Sequence, residues 1–166
     1  MNPVLPRTHF VPDGEAHEMP DGTIRETLPT TQGVEPPIRV GSLIAAADAC
    51  RLAGNGSHTH ILPDTRCPGE EVLAIASPEG WAAYRYVNFD QPITETVLEM
   101  EANGFGEVKI WGDDELIGEI PVRPTNGERW KMKSTVRSVS GIHTLYLEWK
   151  LDEECTAIIK RISMLL

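Results

Sequence analysis

Several things this chain lacks narrow its identity at once. Its three cysteines, Cys50, Cys67 and Cys155, are odd in number, and no two are at CxxC spacing. That excludes a zinc knuckle and a thioredoxin-like redox motif. Two states remain, a Cys50–Cys67 disulfide or buried thiols, and thiols are the expected one. Basic residues are outnumbered, 15 Lys and Arg against 25 Asp and Glu, for a net charge of −10. This balance argues against nucleic acid and membrane surfaces as partners, because both select basic patches. No apolar run approaches the roughly 20 residues that span a bilayer. Residues 1–16 lack the basic, apolar and small-residue regions of a secretory signal. The expectation is a cytoplasmic protein or a fragment of a longer one.

Catalytic signatures are also missing. The chain has no GxSxG, GxxxxGK, HExxH or GxGxxG motif, each of which ties a residue spacing to a specific chemistry. His58 and His60 form an HxH pair, but nothing nearby completes a metal-ligand set, so they read as exposed loop histidines. Asp113, Asp114 and Glu115 read as a solvated turn, since a glycosidase needs two carboxylates on opposite sides of a bond. No His or Asn/Asp arrangement partners a cysteine nucleophile. The expectation is a protein that is not an enzyme and has no metal site.

Hydrophobic residues at 40% and charged residues at 24% suffice for one globular domain over 166 residues. Residues 1–38 carry Pro3, Pro6, Pro12, Pro20, Pro29, Pro36 and Pro37 with little periodicity. They read as an irregular N-terminal arm or linker, with a tight turn at Asp21-Gly22. The domain proper is expected over residues 39–166. Residues 43–53 are ambiguous between a strand and one or two helical turns, and residues 54–70 read as a loop.

From Gly80 to Trp149 the pattern is regular. Short alternating segments are separated by Gly, Asn, Asp and Pro at intervals near ten residues, which predicts an all-β fold. Strands are expected at 72–76, 81–89, 95–102, 108–111, 116–122, 130–136, 145–150 and 156–164. In the second, Ala83, Arg85, Val87 and Phe89 share one face and Ala82, Tyr84, Tyr86 and Asn88 the other. Leu145, Leu147 and Trp149 face opposite Tyr146, Glu148 and Lys150. Eight or nine antiparallel strands predict a β-sandwich of jelly-roll type.

Aromatics are only 6% of the chain, yet four are tryptophans. Trp149, on the apolar face of its strand, reads as core, and Trp111, beside a turn, as partly exposed. Trp81 and Trp130 each begin a strand at the rim of the sandwich. Each reads either as packing or as a platform, because an aromatic face stacks on the C–H face of a sugar ring.

Residues 39–166 resemble a family 6 carbohydrate-binding module. The segment Gly80-Trp81-Ala82-Ala83-Tyr84-Arg85-Tyr86-Val87-Asn88-Phe89 is similar to that family's GDYxxYxxVDF strand. Glu107–Val122 resembles its strand pair with an Asp-Gly-rich turn. Gly127-Glu128-Arg129-Trp130 resembles its GGW strand start, and Ser140-Gly141-Ile142-His143-Thr144-Leu145-Tyr146-Leu147 resembles SGTHTLYL. Asp21-Gly22-Thr23-Ile24 and Thr30-Thr31-Gln32-Gly33-Val34 are similar to the link that joins family 43 glycoside hydrolase propellers to such modules. The resemblance implies a non-catalytic module for plant-type polysaccharide or oligosaccharide, xylan- or arabinan-like, with a glycoside hydrolase catalytic domain as partner. It implies stacking on Trp81 and Trp130, with polar help from Tyr84, Asn126 and Glu128.

The family pattern also fails at specific positions. Ile44-Ala45-Ala46-Ala47 stands where the family has IEAE, whose glutamates help bind structural calcium. Ile158 stands at a sugar-binding Asn and Lys160 at a calcium-binding Asp. With Ala45, Ala47 and Lys160 in those places the calcium site is expected to be lost, Lys160 or Arg161 filling the space. These losses also support a rival reading, a degenerate accessory domain that packs on a hydrolase and binds no sugar.

Overall fold

The computed structural model describes residues 36–54 and 59–166. Most of the proline-rich arm, the turn expected at Asp21-Gly22 and His58 lie outside these residues. Twelve strands follow in chain order: β1 (Ile38–Arg39), β2 (Leu43–Ala45), β3 (Arg51–Gly54), β4 (Thr59–Pro63), β5 (Glu71–Ile75), β6 (Glu79–Phe89), β7 (Glu95–Ala102), β8 (Gly106–Gly112), β9 (Glu115–Val122), β10 (Trp130–Thr135), β11 (Gly141–Leu151) and β12 (Ala157–Leu165). Among the described residues no helix is long and apolar enough to cross a membrane.

The strands form two six-stranded sheets. One runs β1-β6-β11-β8-β9 with β3 also on β6; the other runs β10-β7-β12-β5-β4 with β2 also on β12. Every pairing is antiparallel except β1 with β6. The all-β sandwich expected from the alternation is the observed fold. It follows from side chains that alternate between faces, so each sheet has one apolar side to bury against the other. β11 buries Leu145, Leu147, Trp149 and Leu151 against Leu98 and Met100 of β7 and Ile159, Ile162 and Met164 of β12.

Three local expectations change. The ambiguous run at 43–53 resolves into β2, a single 3-10 turn at Ala46–Asp48, and β3. Residues 59–63, a loop by composition, are β4, because Leu62 pairs with Val72 of β5. Composition does not reveal a strand whose reason to form is its partner. The faces of β6 also switch midway. Val87 pairs with His143 and Tyr84 with Leu145, so Arg85 and Tyr86 together oppose Thr144. This β-bulge puts Tyr86 at φ 59°, and it lets Ala82, Tyr84, Val87 and Phe89 all bury. The cysteines keep their expected state: all three are thiols, and the Cys50 thiol donates to the Ala83 carbonyl at 3.1 Å.

Candidate functional site

The outward positions of the first sheet bring three rings together. Inward burial of Leu145, Leu147 and Trp149 turns Tyr146 and Glu148 of β11 outward. Tyr146 pairs with Trp111 of β8, and Glu148 pairs with Trp81 of β6. Trp81 and Tyr146 meet edge to face, with centroids 6.2 Å apart and planes at 71°, a favoured aromatic geometry. Trp111 Nε1 donates to Glu148 Oε2 at 2.8 Å, which sets the tilt of the indole. With Asp113 and Asp114 these residues line an open groove of about 580 Å³.

Asp113 and Asp114 reach the groove on the turn of the β8–β9 hairpin. Asp113 sits at φ 51°, a left-handed conformation that aspartate tolerates in turns. Its Oδ1 accepts from the Thr144 N–H at 3.0 Å and its Oδ2 faces His143 Nδ1 at 2.7 Å. His143 Nε2 lies 2.6 Å from the Ser140 carbonyl. Carbonyl and carboxylate only accept, so the doubly protonated ring is the form that satisfies both partners. The hydrogen bond to Ser140, and then that to Asp113, raise the His143 pKa above its ordinary 6.5. Partial burial pushes Asp113 upward, but the bonds from His143 and Thr144 outweigh it and hold the carboxyl lowered.

The residues expected to form one sugar site are divided. Trp81 lines the groove. Tyr84 is fully buried and donates its hydroxyl to the Ala46 carbonyl at 2.7 Å, so it is a core residue out of reach of any surface ligand. Trp130 belongs to the other sheet, where β10 pairs with β7. It is 43% exposed, and its indole N–H donates to Glu128 Oε2 at 3.4 Å. Asn126, in the same segment, turns at φ 53°. Trp81 therefore lines the groove, and Trp130, Asn126 and Glu128 are not among its lining residues.

Sequence reading missed Trp111, Tyr146 and Glu148 as a group; Asp113-Asp114 form the exposed turn expected of them and also line the groove. One signal was available: the polar-face positions of the cleanest strand, Tyr146 and Glu148, alternate with its core residues.

A second polar cluster sits around β12. A bulge against β7 inserts Lys160 between Ile159 and Arg161, and the Lys160 side chain is 4% exposed. Its ammonium lies 2.8 Å from Asp64 Oδ2 and also binds the Glu70 carboxylate. Arg129 clamps Asp64 with two bonds, at 2.7 and 2.8 Å, and its Nε reaches Glu101 at 3.1 Å. The Arg129 bonds dominate, and with those from Lys160 and the Arg66 N–H they hold the Asp64 carboxyl far below the carboxylate range despite burial. Burial lowers the Lys160 pKa, but Asp64 and Glu70 outweigh it, and the net direction is up.

Asp64, Cys67 and Glu70 bring donor atoms within 4.8 Å of one another. They do not suit calcium, which takes six to eight oxygens. One donor is a thiol, and an ammonium already binds both carboxylates.

No protein-family model matches the sequence, and no curated protein matches it. Solved structures do share the fold. A family 6 carbohydrate-binding module from Clostridium stercorarium, solved with cellobiose, aligns with TM-score 0.69 at 14% identity, over 80% of this chain and 98% of that one. A family 6 module from Clostridium cellulolyticum, solved with xylose, gives 0.68 at 21% identity, over 76% of this chain and 98% of that one. A family 43 arabinoxylan arabinofuranohydrolase from Bacillus subtilis, solved with cellotetraose, gives 0.68 at 15% identity, over 90% of this chain but 32% of that one. At these identities the likeness is one of fold.

Proposed function

We propose that this chain is a non-catalytic carbohydrate-binding module that holds plant-type polysaccharide or oligosaccharide, xylan- or arabinan-like, on the outer face of its first sheet. The observation that carries this reading is the groove itself, with Trp81, Trp111 and Tyr146 on three adjacent strands. Rings held on paired strands lose little entropy on binding, and they bury the apolar face of a sugar while its hydroxyls stay hydrated. Sheets that share this fold have been solved with cellobiose and with xylose, and one match lies within a hydrolase acting on arabinoxylan. A glycoside hydrolase domain is accordingly the proposed partner.

The groove's carboxylates support binding over catalysis. Asp113 is tied to His143, and Glu148 to the Trp111 indole. Hydrolysis needs an acid and a base or nucleophile flanking the bond, and these two groups instead hold protein side chains in place.

Affinity electrophoresis in gels containing soluble xylan tests the proposal and separates the two aromatic regions. Retardation is expected to fall at least tenfold in Trp111→Ala and Trp81→Ala and to persist in Trp130→Ala. Loss in Trp130→Ala alone moves the site to the second sheet. No retardation of the unaltered protein by xylan, arabinan or β-glucan favours the degenerate accessory domain.

We also propose that Lys160 serves as the resident cation of the second sheet, with no structural calcium beside it. The direct ion pairs to Asp64 and Glu70 support this.

A further inference from the structure

The groove carries charge of one sign. Of its six described lining residues three are aromatic and three are acidic, and none is a cation. Asp113 faces His143 at 2.7 Å, an ion pair when the ring is protonated. Glu148 uses one oxygen for the Trp111 indole, which leaves its other oxygen open. Asp114 is exposed on the turn beside them. Lys109, cross-strand from Glu148, is directed to Glu107 and Glu119 at 3.4 and 3.9 Å. The rings and the open carboxylates therefore face the same space.

We propose that the groove selects glycans bearing a protonated amine, a β-linked amino sugar, over neutral sugars and against uronic acids. The proposal rests on the groove being the sugar site, and it ranks an amino sugar above the neutral xylan-like chain that the groove also holds. A pyranose ring lies with its C–H face on an indole, as any sugar would. An ammonium on that ring adds two attractions. It forms charge-assisted hydrogen bonds to Glu148 and Asp114, and it is drawn to the negative faces of Trp81 and Trp111. A uronate in the same place meets like charge, and none of the residues that line the groove is a cation. An acetylated amine has neither the charge nor the compactness.

Three tetrasaccharides isolate the effect because they share one β-1,4 backbone: cellotetraose, the fully deacetylated glucosamine tetramer and its N-acetylated form differ only at carbon 2. Calorimetry at mildly acidic pH and low salt is expected to show the glucosamine tetramer binding about five- to tenfold tighter than cellotetraose, the yield of one or two partly exposed ion pairs. The acetylated tetramer is expected to be the weakest. The preference should shrink with added salt and vanish in the double variant Asp114→Asn, Glu148→Gln, whose amide oxygens can still accept from Trp111. A lysine tetrapeptide controls for charge alone.

Cellotetraose binding as tightly as the glucosamine tetramer, with both lost in Trp111→Ala, overturns the amine preference and leaves the groove as a sugar site. A lysine tetrapeptide that matches the glucosamine tetramer overturns it as well, by showing that the sugar ring adds nothing. Absence of binding by all three tetrasaccharides overturns the preference, and retardation in the xylan gels then decides separately whether the groove holds sugar.

Discussion

Tyr84 and His143 show how differently single polar residues can be used in one sheet. Tyr84 is buried, and burial pushes its phenol pKa upward. Its hydroxyl donates to the Ala46 carbonyl, and a hydrogen bond between buried partners stabilises the sandwich. His143 sits at the surface end of β11, packed beside Phe89 at 5.8 Å between centroids, and holds the turn that rims the groove. Its folded pKa is raised, so its contribution to stability is complete below the ordinary value of 6.5. That contribution disappears as pH rises through the folded value. The Asp113 pKa is lowered, so its contribution is present above the ordinary carboxylate value and disappears as pH falls through the folded one. The link is strongest between those limits. Proton NMR of the His143 ring is expected to give a pKa above 6.5 in the native protein that drops toward 6.5 in Asp113→Asn. A value at or below 6.5 in the native protein would show that the ring is not held as imidazolium.

At the scale of elements, the edges of alternation matter as much as the alternation. β8 and β11 approach so closely at one end that a Cβ on Gly106 would lie 2.6 Å from the Lys150 carbonyl oxygen and 2.7 Å from Leu151 Cα. Both obstacles are backbone, which cannot swing aside. Gly106→Ala is expected to cost about 1–3 kcal/mol, the usual penalty of overpacking, read as a lower midpoint in urea unfolding. An unchanged midpoint would mean that the two strands can separate there without loss.

Most strands were legible from sequence because their side chains alternate in a pattern local chemistry imposes. The region 81–89 was legible as a strand but not as the right faces. The bulge at Arg85 and Tyr86 exists only opposite Thr144, a residue almost sixty positions away in the chain. β4 was missed for the same kind of reason, its pairing with β5.

For the whole molecule, the second sheet is tied together by ion pairs that cross between elements far apart in sequence. Asp64 links the segment after β4 to Arg129 before β10 and to Lys160 in β12. Arg129 still pairs Asp64 when Lys160 is removed, so Lys160→Ala is expected to destabilise by about 2 kcal/mol, the scale of a hydrogen bond to a charged group. With Lys160 as the cation, the melting temperature of the native protein should be indifferent to EDTA and to added calcium. A rise in melting temperature with calcium would displace Lys160 from that role. The net charge of −10 works at the same scale, biasing the long-range field toward cationic ligands.

Composition and periodicity alone determined that the chain is an all-β sandwich, that its N-terminal segment is proline-rich, and that Leu145, Leu147 and Trp149 face the core. Each of these follows from what a side chain does next to its immediate neighbours. Only the tertiary structure decided that Trp81, Trp111, Tyr146 and Glu148 share one groove, that Tyr84 lies in the core, and that Trp130 belongs to the opposite sheet. Those facts depend on register and bulges between strands, and register is set by which distant residues bury together.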